Sequence, residues 1–209
     1  MYPAPGYRIF RAMGQTAAQS LFHMRIIGRE KLIQDGPSLV VANHQSFLDP
    51  PLIGQLFETG VYFLARHNLW HNRILGFMLN QCDVTPLNQT RPDPSSMTKL
   101  IKIAKAGGRI GLFPEGARTP DGKIHEAMPG IGLLLSRLGD IPIQPIRIEG
   151  AYDCLPIHSN RLRLKPITLA IGDPFTLDYK SFSGKSRRDI QRAVGVQVMS
   201  AISALSTEY

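Results

Sequence analysis

The segment Leu39-Val40-Val41-Ala42-Asn43-His44-Gln45-Ser46-Phe47-Leu48-Asp49-Pro50 decides how this chain is read. It opens on an apolar run of strand character and passes without a break into a histidine. A run with no polar alternation suits a strand covered on both faces. Polar residues that follow such a strand stand where ligand sites gather in open α/β sheets, beyond the carboxyl ends. Asp49 precedes Pro50, which holds it out of helical geometry and fits an N-cap with proline at the next position. On one continuous helix His44 and Asp49 would be turned apart by ~500°. Across a strand end, a loop and a helix start they can meet. A carboxylate bonded to one imidazole nitrogen fixes the tautomer and leaves the other nitrogen to accept a proton. A loop histidine beside a helix-capping aspartate accounts for the same residues.

Other short segments rich in β-branched residues lie on either side: Arg25 to Ile27, Val61 to Leu64, Arg109 to Phe113, Ile143 to Ile148 and Ile167 to Ile171. Their length predicts strands. Helical patterns separate many of them. Asp93 followed by Pro94 reads as an N-cap with proline in the first turn, and Met97, Leu100, Ile101 and Ala104 supply an apolar face up to Gly107 and Gly108. Residues 185–206 repeat that logic through Ile190, Val194, Val198, Ile202 and Leu205. Strands alternating with helices predict an α/β domain with a mostly parallel central sheet, covered by helices on both faces. Before it, residues 7–22 place Phe10, Met13, Ala17 and Leu21 on one helical face, with Arg8, Arg11, Gln15 and Gln19 opposite. That amphipathic helix suits packing on the domain, and it suits resting on a membrane interface. The expected organisation is an N-terminal helical element over 1–23 and one domain over 24–209.

With 209 residues, the chain buries enough surface to need neither disulfides nor metal. Hydrophobic residues at 43% and the 16 Pro and 19 Gly exclude a disordered or coiled-coil architecture. Cys82 and Cys154 stand far apart, in neither a disulfide nor a zinc spacing. Ile74 to Leu79 and Ile131 to Leu135, the longest apolar runs, fall short of the ~18 residues that a spanning helix needs. The first residues carry Arg8 and Arg11 without an apolar core, so no secretory signal is expected and a cytoplasmic location is. Basic residues outnumber acidic ones by 24 to 16, giving +8, and such a surplus attracts anions: nucleic acid, acidic lipid or phosphorylated substrates.

A second constellation follows another strand. Arg109 to Phe113 leads into Pro114-Glu115-Gly116-Ala117-Arg118-Thr119-Pro120-Asp121-Gly122, where a glycine permits close backbone approach and an arginine offers a planar fork suited to phosphate oxygens. A surface ion pair between Glu115 and Arg118 in a turn is the plain alternative. Elsewhere, His67 and His71 at i, i+4 have no third ligand nearby, which favours a polar surface or substrate rim over a metal site. Lys99, Lys102 and Lys105 mark a solvated helix face. Arg161, Arg163 and Lys165 alternate with Leu162 and Leu164 as in a strand with one wet face. Together with Lys185, Arg187, Arg188 and Arg192 they make a basic patch facing anionic lipid. Nucleic acid would call for more interleaved aromatics than Phe175, Tyr179 and Phe182, so no nucleic-acid partner is expected.

Taken together, these residues resemble the glycerophospholipid acyltransferases, the 1-acyl-sn-glycerol-3-phosphate acyltransferases and their relatives. That family's Asn-His-x-Ser-x-x-Asp motif is met by Asn43, His44, Ser46 and Asp49. Its Phe-Pro-Glu-Gly-Thr-Arg-Ser motif is met by Phe113, Pro114, Glu115, Gly116 and Arg118, with Ala117 and Thr119 departing. Ile141-Pro142-Ile143-Gln144-Pro145-Ile146 and Ile27-Gly28-Arg29-Glu30-Lys31-Leu32 extend the likeness from Met24 to Gly172. A further motif keeps its basic residue at Arg66 after Ala65, but reads Leu87-Asn88-Gln89 where the family has a second one; Arg91 stands two positions on. The resemblance implies transfer of a fatty acyl chain from acyl-CoA or acyl-carrier protein to the hydroxyl of 1-acyl-sn-glycerol 3-phosphate, with no cofactor or metal. It implies His44 as general base oriented by Asp49, and Arg118 and Arg66 on the acceptor phosphate. Glu115 would position Arg118, and Gly116 would let main-chain N–H groups approach the oxyanion. The enzyme is expected to sit peripherally on the inner face of the cell membrane, against anionic lipid. Another lysolipid or amino-lipid acceptor, and a non-catalytic lipid-binding protein, are the competing readings.

Overall fold

The structure, a computed structural model, describes residues 7–66, 85–87, 94–128, 130–178, 182, 184 and 186–208. Helix α1 (Tyr7–Phe22) leads into strand β1 (Arg25–Ile27), followed by β2 (Ser38–Ala42), the short helix α2 (Asp49–Gly54) and β3 (Val61–Arg66). Then come β4 (Thr85–Leu87), α3 (Pro94–Lys105), β5 (Arg109–Leu112), α4 (Gly130–Leu138), β6 (Ile143–Glu149), a helical turn α5 (Ala151–Cys154), β7 (Thr168–Ile171) and α6 (Arg187–Ser203). The strands form one seven-stranded sheet in the order β1-β7-β6-β2-β5-β3-β4. The pairings are parallel, with Val41 opposite Leu112 and Ala42 opposite Ile146, except that among the described strands β6 and β7 pair antiparallel. The α/β fold with a mostly parallel sheet is the one expected from the alternation of strands and helices.

Every residue of β2 is buried, as its unbroken apolar run requires. Successive side chains point to opposite faces, so Val40 and Ala42 join a core with Leu52, Phe57, Ile146 and Ile148 beneath α1 and α2. Leu39 and Val41 join a second core with Leu100, Leu134, Val194 and Val198 beneath α3, α4 and α6. The glycines after α3 end it as expected. Gly107, at φ 85°, turns the chain left-handed while its N–H and that of Gly108 satisfy the carbonyls of Ala104 and Ile103. Ser186 caps α6 by accepting from the Asp189 N–H at 3.2 Å.

Of the two readings of α1 the structure disfavours packing through the apolar stripe, and the strand expected over Arg161 to Lys165 is corrected. The apolar stripe of α1 does not face the domain: Met13 and Leu21 are 66% and 45% exposed, while Ala18 and Phe22 are buried. Polar groups on the packed side of the helix are satisfied, because Arg11 Nε and Gln15 Nε2 both donate to the Gln55 carbonyl, at 3.0 and 2.8 Å. Arg161 to Lys165 form no strand. The segment is an exposed connection between α5 and β7 with no sheet neighbour, so its alternation pairs with nothing. Asn88, Gln89, Arg91, His67, His71 and Cys82 lie outside the described residues, as does Lys185.

Candidate active site

The carboxyl ends of β2 and β5 bring the two sequence constellations together. Asn43 closes the end of β2: its Nδ2 donates to the Ile148 carbonyl at 2.9 Å and its Oδ1 accepts from the Ile148 N–H at 2.8 Å, so the side chain imitates a further strand residue paired to β6. The next residue, His44, emerges at this pinned corner. Its Nδ1 lies 2.8 Å from Asp49 Oδ2, and the same oxygen accepts from the main-chain N–H groups of Gln45 and Ser46 at 2.6 and 2.7 Å. Asp49 therefore gathers the loop that precedes it rather than capping the helix that follows, which has Leu48 as its N-cap residue and no side-chain cap. An ionised carboxylate only accepts, so Nδ1 carries the proton and Nε2 is the nitrogen with a lone pair. The Asp49 side chain is fully buried while that of His44 is 18% exposed, so the pair joins the interior to the surface.

The flat face of His44 is supported too. Its ring stacks on Phe113 with centroids 4.0 Å apart and planes within 12°, and Phe113 in turn stacks on Phe63 at 5.6 Å. Gly111 makes room for this pile: a Cβ there would fall 2.1 Å from Phe63 Cε1. Hydrogen bonding through Nδ1 and stacking across the face together leave the imidazole little freedom to rotate.

Glu115, 9% exposed, is a clamp on the main chain. Its Oε2 accepts from the His44 N–H at 2.6 Å and its Oε1 from the His125 N–H at 2.8 Å. Thr119 N–H donates to the His44 carbonyl at 2.8 Å, so both main-chain groups of His44 are held by the Phe113–Thr119 loop. Burial pushes the Glu115 carboxyl above its ordinary value of 4.5, with the two amides opposing it. Ionised Glu115 is thus costlier in the folded chain than in the unfolded one. Wild-type stability from this group is greatest below about 4.5 and falls as pH rises through the raised folded value. Glu115→Gln abolishes that dependence but turns an amide NH₂ toward one of the two N–H groups. It is expected to lose about 1–3 kcal/mol in urea denaturation, the cost of an unmet buried donor. The deficit should be larger at pH 4 than at pH 7.

Gly116 does not present its N–H to the site: that group donates to the Phe113 carbonyl at 3.0 Å within the turn. What requires glycine there is the backbone, at φ 72°, and the space, since a Cβ would stand 2.8 Å from Met128 Cγ. The Arg118 guanidinium lies over the Phe47 ring, Cζ 3.5 Å from the centroid, which lays the fork against the His44 loop. Arg66 is the last residue of β3, in register with Leu87 of β4, and its side chain is outside the described part. A second histidine pair holds the rim. His125 Nε2 lies 2.8 Å from Asp121 Oδ1, which also accepts from Thr119 Oγ1 and the Lys123 N–H, and these bonds hold the Asp121 carboxyl down at about 2. The rim is stitched to the His44 loop by Gln45 Nε2 donating to the Gly122 carbonyl at 3.2 Å. No group of three or more metal-ligating side chains occurs among the described residues.

Phe47 and Gln45 belong to the site without having stood out in the sequence, and Asn43 and Phe113 stood there only as members of the two motifs, with no role assigned. Phe113 had a signal, being the last apolar residue before the Glu115 turn. The pairing of Asn43 across more than a hundred residues had none.

A histidine and carboxylate thus stand at the end of a buried parallel strand, beside an arginine loop from the neighbouring strand. A family model described as Acyltransferase matches residues 23–149, and the chain belongs to that family. It is an acyltransferase. Among its relatives is the 1-acyl-sn-glycerol-3-phosphate acyltransferase of Bacillus subtilis (strain 168), 24% identical over 167 residues, which are 78% of this chain and 80% of that protein. The chloroplastic 1-acyl-sn-glycerol-3-phosphate acyltransferase BAT2 of Brassica napus is 30% identical over 129 residues, 60% of this chain but only 36% of that longer protein. The crystal structure of the 1-acyl-sn-glycerophosphate acyltransferase PlsC from Thermotoga maritima superposes with a TM-score of 0.69 at 25% identity, covering 95% of this chain and 80% of that one.

Proposed function

We propose that this acyltransferase moves a fatty acyl chain from a thioester, acyl-CoA or acyl-carrier protein, to the free hydroxyl of 1-acyl-sn-glycerol 3-phosphate, yielding phosphatidic acid for phospholipid synthesis. The observation that carries the reading is the His44 and Asp49 pair, with Nδ1 committed to a buried carboxylate and Nε2 left to act. Nε2 takes the proton of the acceptor hydroxyl as its oxygen attacks the thioester carbonyl, and Asp49 stabilises the imidazolium so formed. The tetrahedral intermediate collapses, the carbon–sulfur bond breaks, and the imidazolium returns its proton to the departing sulfur as a thiol. The attack is direct. Cys154 supports no covalent acyl-enzyme, since it is buried, its Sγ donates to the Lys165 carbonyl at 3.3 Å, and burial pushes its thiol up. Arg118 holds the acceptor phosphate, joined by Arg66. The division that goes with this reading is a catalytic domain over 24–209 with an N-terminal element over 1–23, of which α1 packs on α2.

The test of the acceptor is incubation of purified protein with acyl-CoA or acyl-carrier protein and a panel of lysolipids, with products identified by mass spectrometry. Phosphatidic acid is expected; a product from another lysolipid or an amino-lipid alone would move the assignment to that acceptor, as the loss of charge at Gln89 allows. A lysine cannot grip two phosphate oxygens with the geometry of a guanidinium. Arg118→Lys is therefore expected to lose a charge-assisted hydrogen bond of about 1.5–3 kcal/mol, a tenfold or larger fall in kcat/KM for the phosphate acceptor. Thioester hydrolysis without acceptor should change little, and equal impairment of both would make Arg118 structural.

The exposed stripe of α1 supports peripheral attachment to the inner face of the cell membrane. No helix among the described residues is long and apolar enough to cross a membrane. Replacing Met13 and Leu21 by Ser, which spares the buried Ala18 and Phe22, is expected to weaken binding to anionic vesicles, and added salt to weaken it further. Binding indifferent to both leaves α1 as packing alone.

A further inference from the structure

The connection from α5 to β7 leaves and re-enters the sheet at the end where His44 stands, because β6 and β7 pair antiparallel with Glu149 opposite Thr168. Its start and the helical turn before it touch the site loop directly: Ser46 Oγ donates to the Leu155 carbonyl at 2.9 Å, and the Tyr152 N–H of α5 to Gln45 Oε1 at 3.2 Å. Its far part is pinned by its main chain, with Arg163 N–H donating to the Cys154 carbonyl at 2.8 Å and Cys154 Sγ to the Lys165 carbonyl. Yet every side chain from Asn160 to Pro166 is exposed. Leu162 and Leu164 are 50% and 57% exposed, set between Arg161, Arg163 and Lys165. Two leucines about half exposed on an anchored segment leave apolar surface in water that burial against a partner would remove.

Other exposed apolar side chains share that end of the molecule. Phe47 and Met128, 37% and 56% exposed, belong to the loops around His44, and Leu21 lies beside Phe22, whose carbonyl accepts from Ile167 at the start of β7. Alternating apolar and cationic residues, three cations around two leucines, match one surface: an apolar interior beneath anionic headgroups.

We propose that residues 161–165 are a bilayer-inserting segment, with Leu162 and Leu164 entering the acyl region of an anionic membrane and Arg161, Arg163 and Lys165 contacting its phosphates. The His44 site then faces the surface from which a lipid acceptor comes. This deepens the membrane reading given above and rests on it, but not on the acceptor assignment. The surplus of +8 acts in the same direction.

The experiment uses the full chain and reads binding without turnover. Because the sequence has a single tryptophan, Trp70, Trp70→Phe with Leu162→Trp carries one reporter. Mixed with phosphatidylglycerol and phosphatidylcholine vesicles, its emission is expected to shift to the blue and to be quenched by lipids brominated on the acyl chain. Leu162→Ser with Leu164→Ser, and separately Arg161, Arg163 and Lys165 each to Gln, should weaken vesicle Kd tenfold or more. Turnover of a short-chain, water-soluble acceptor should be unchanged by either. An unshifted, unquenched reporter, or a Kd indifferent to both sets of substitutions, overturns the proposal. So does intact vesicle binding with selective loss of turnover from a carrier-protein thioester, which would make the segment a docking site for an acidic carrier. If the unsubstituted enzyme transfers no acyl group to any lysolipid while vesicle binding behaves as expected, the acceptor reading fails and the segment's role stands.

Discussion

Purified His44→Ala is expected to fold as the parent does and to turn over acceptor roughly 10²–10⁴ times more slowly, the usual worth of a positioned general base. The His44 ring stacks on Phe113, is part-exposed and belongs to neither core of the sheet, so its removal takes no residue from them. The main-chain bonds of His44, to Glu115 and from Thr119, survive any side chain. The fall should appear in kcat, with KM for the thioester nearly constant. Near-parental turnover in a folded variant would falsify the base assignment.

Asp49→Asn separates orientation from charge. The carboxylate concentrates three donors on Oδ2, while Oδ1 is buried without a hydrogen-bond partner. An asparagine placing its carbonyl at the Oδ2 position keeps all three donors satisfied and sets its NH₂ where no donor now points. Burying a neutral amide also costs less than burying a charge. The buried NH₂ needs an acceptor that Oδ1 did not, so circular dichroism should show a folded variant and thermal denaturation a loss of about 1–3 kcal/mol, as for Glu115→Gln. The imidazolium formed during proton transfer, however, loses its counter-charge, and kcat is expected to fall on the order of 10²–10⁴. A folded variant retaining most of its turnover would reduce Asp49 to an organiser of the loop. A variant that unfolds would show the charge itself to be required by the Gln45 and Ser46 amides. Asp49→Glu then serves as the second probe, since it restores charge at a displaced position.

The residues that carry the proposed chemistry were legible because their signals are local. An unbroken apolar run at β2, a histidine directly after it and an aspartate before a proline lie within twelve consecutive residues, and hydrophobic periodicity reports burial over that range. The end of α3 was legible for the same reason, since glycine at φ 85° solves a problem set by its immediate neighbours. The clamps were not. Glu115 binds an amide 71 positions before it and another 10 after it, and Asn43 pairs with Ile148. In sequence each is a polar residue in a turn.

Amphipathic patterning also misdirected where it met a surface without a partner. The stripe of Met13, Ala17 and Leu21 fits a face buried on the domain as well as one resting on a membrane, and the alternation over Arg161 to Lys165 reads as a strand. Periodicity states that two sides of an element differ; it does not state which side meets the protein. By itself the sequence determined six of the strands, the alternation with helices and the parallel character of the sheet, and it singled out the histidine, carboxylate and arginine proposed for the chemistry, all from short-range spacing and side-chain type. Only the tertiary structure decided which nitrogen of His44 remains available, which main-chain groups Glu115 holds, and which apolar side chains are left in water. Those depend on strand order and on the meeting of segments a hundred residues apart, where burial removes water and makes each buried polar group find a partner.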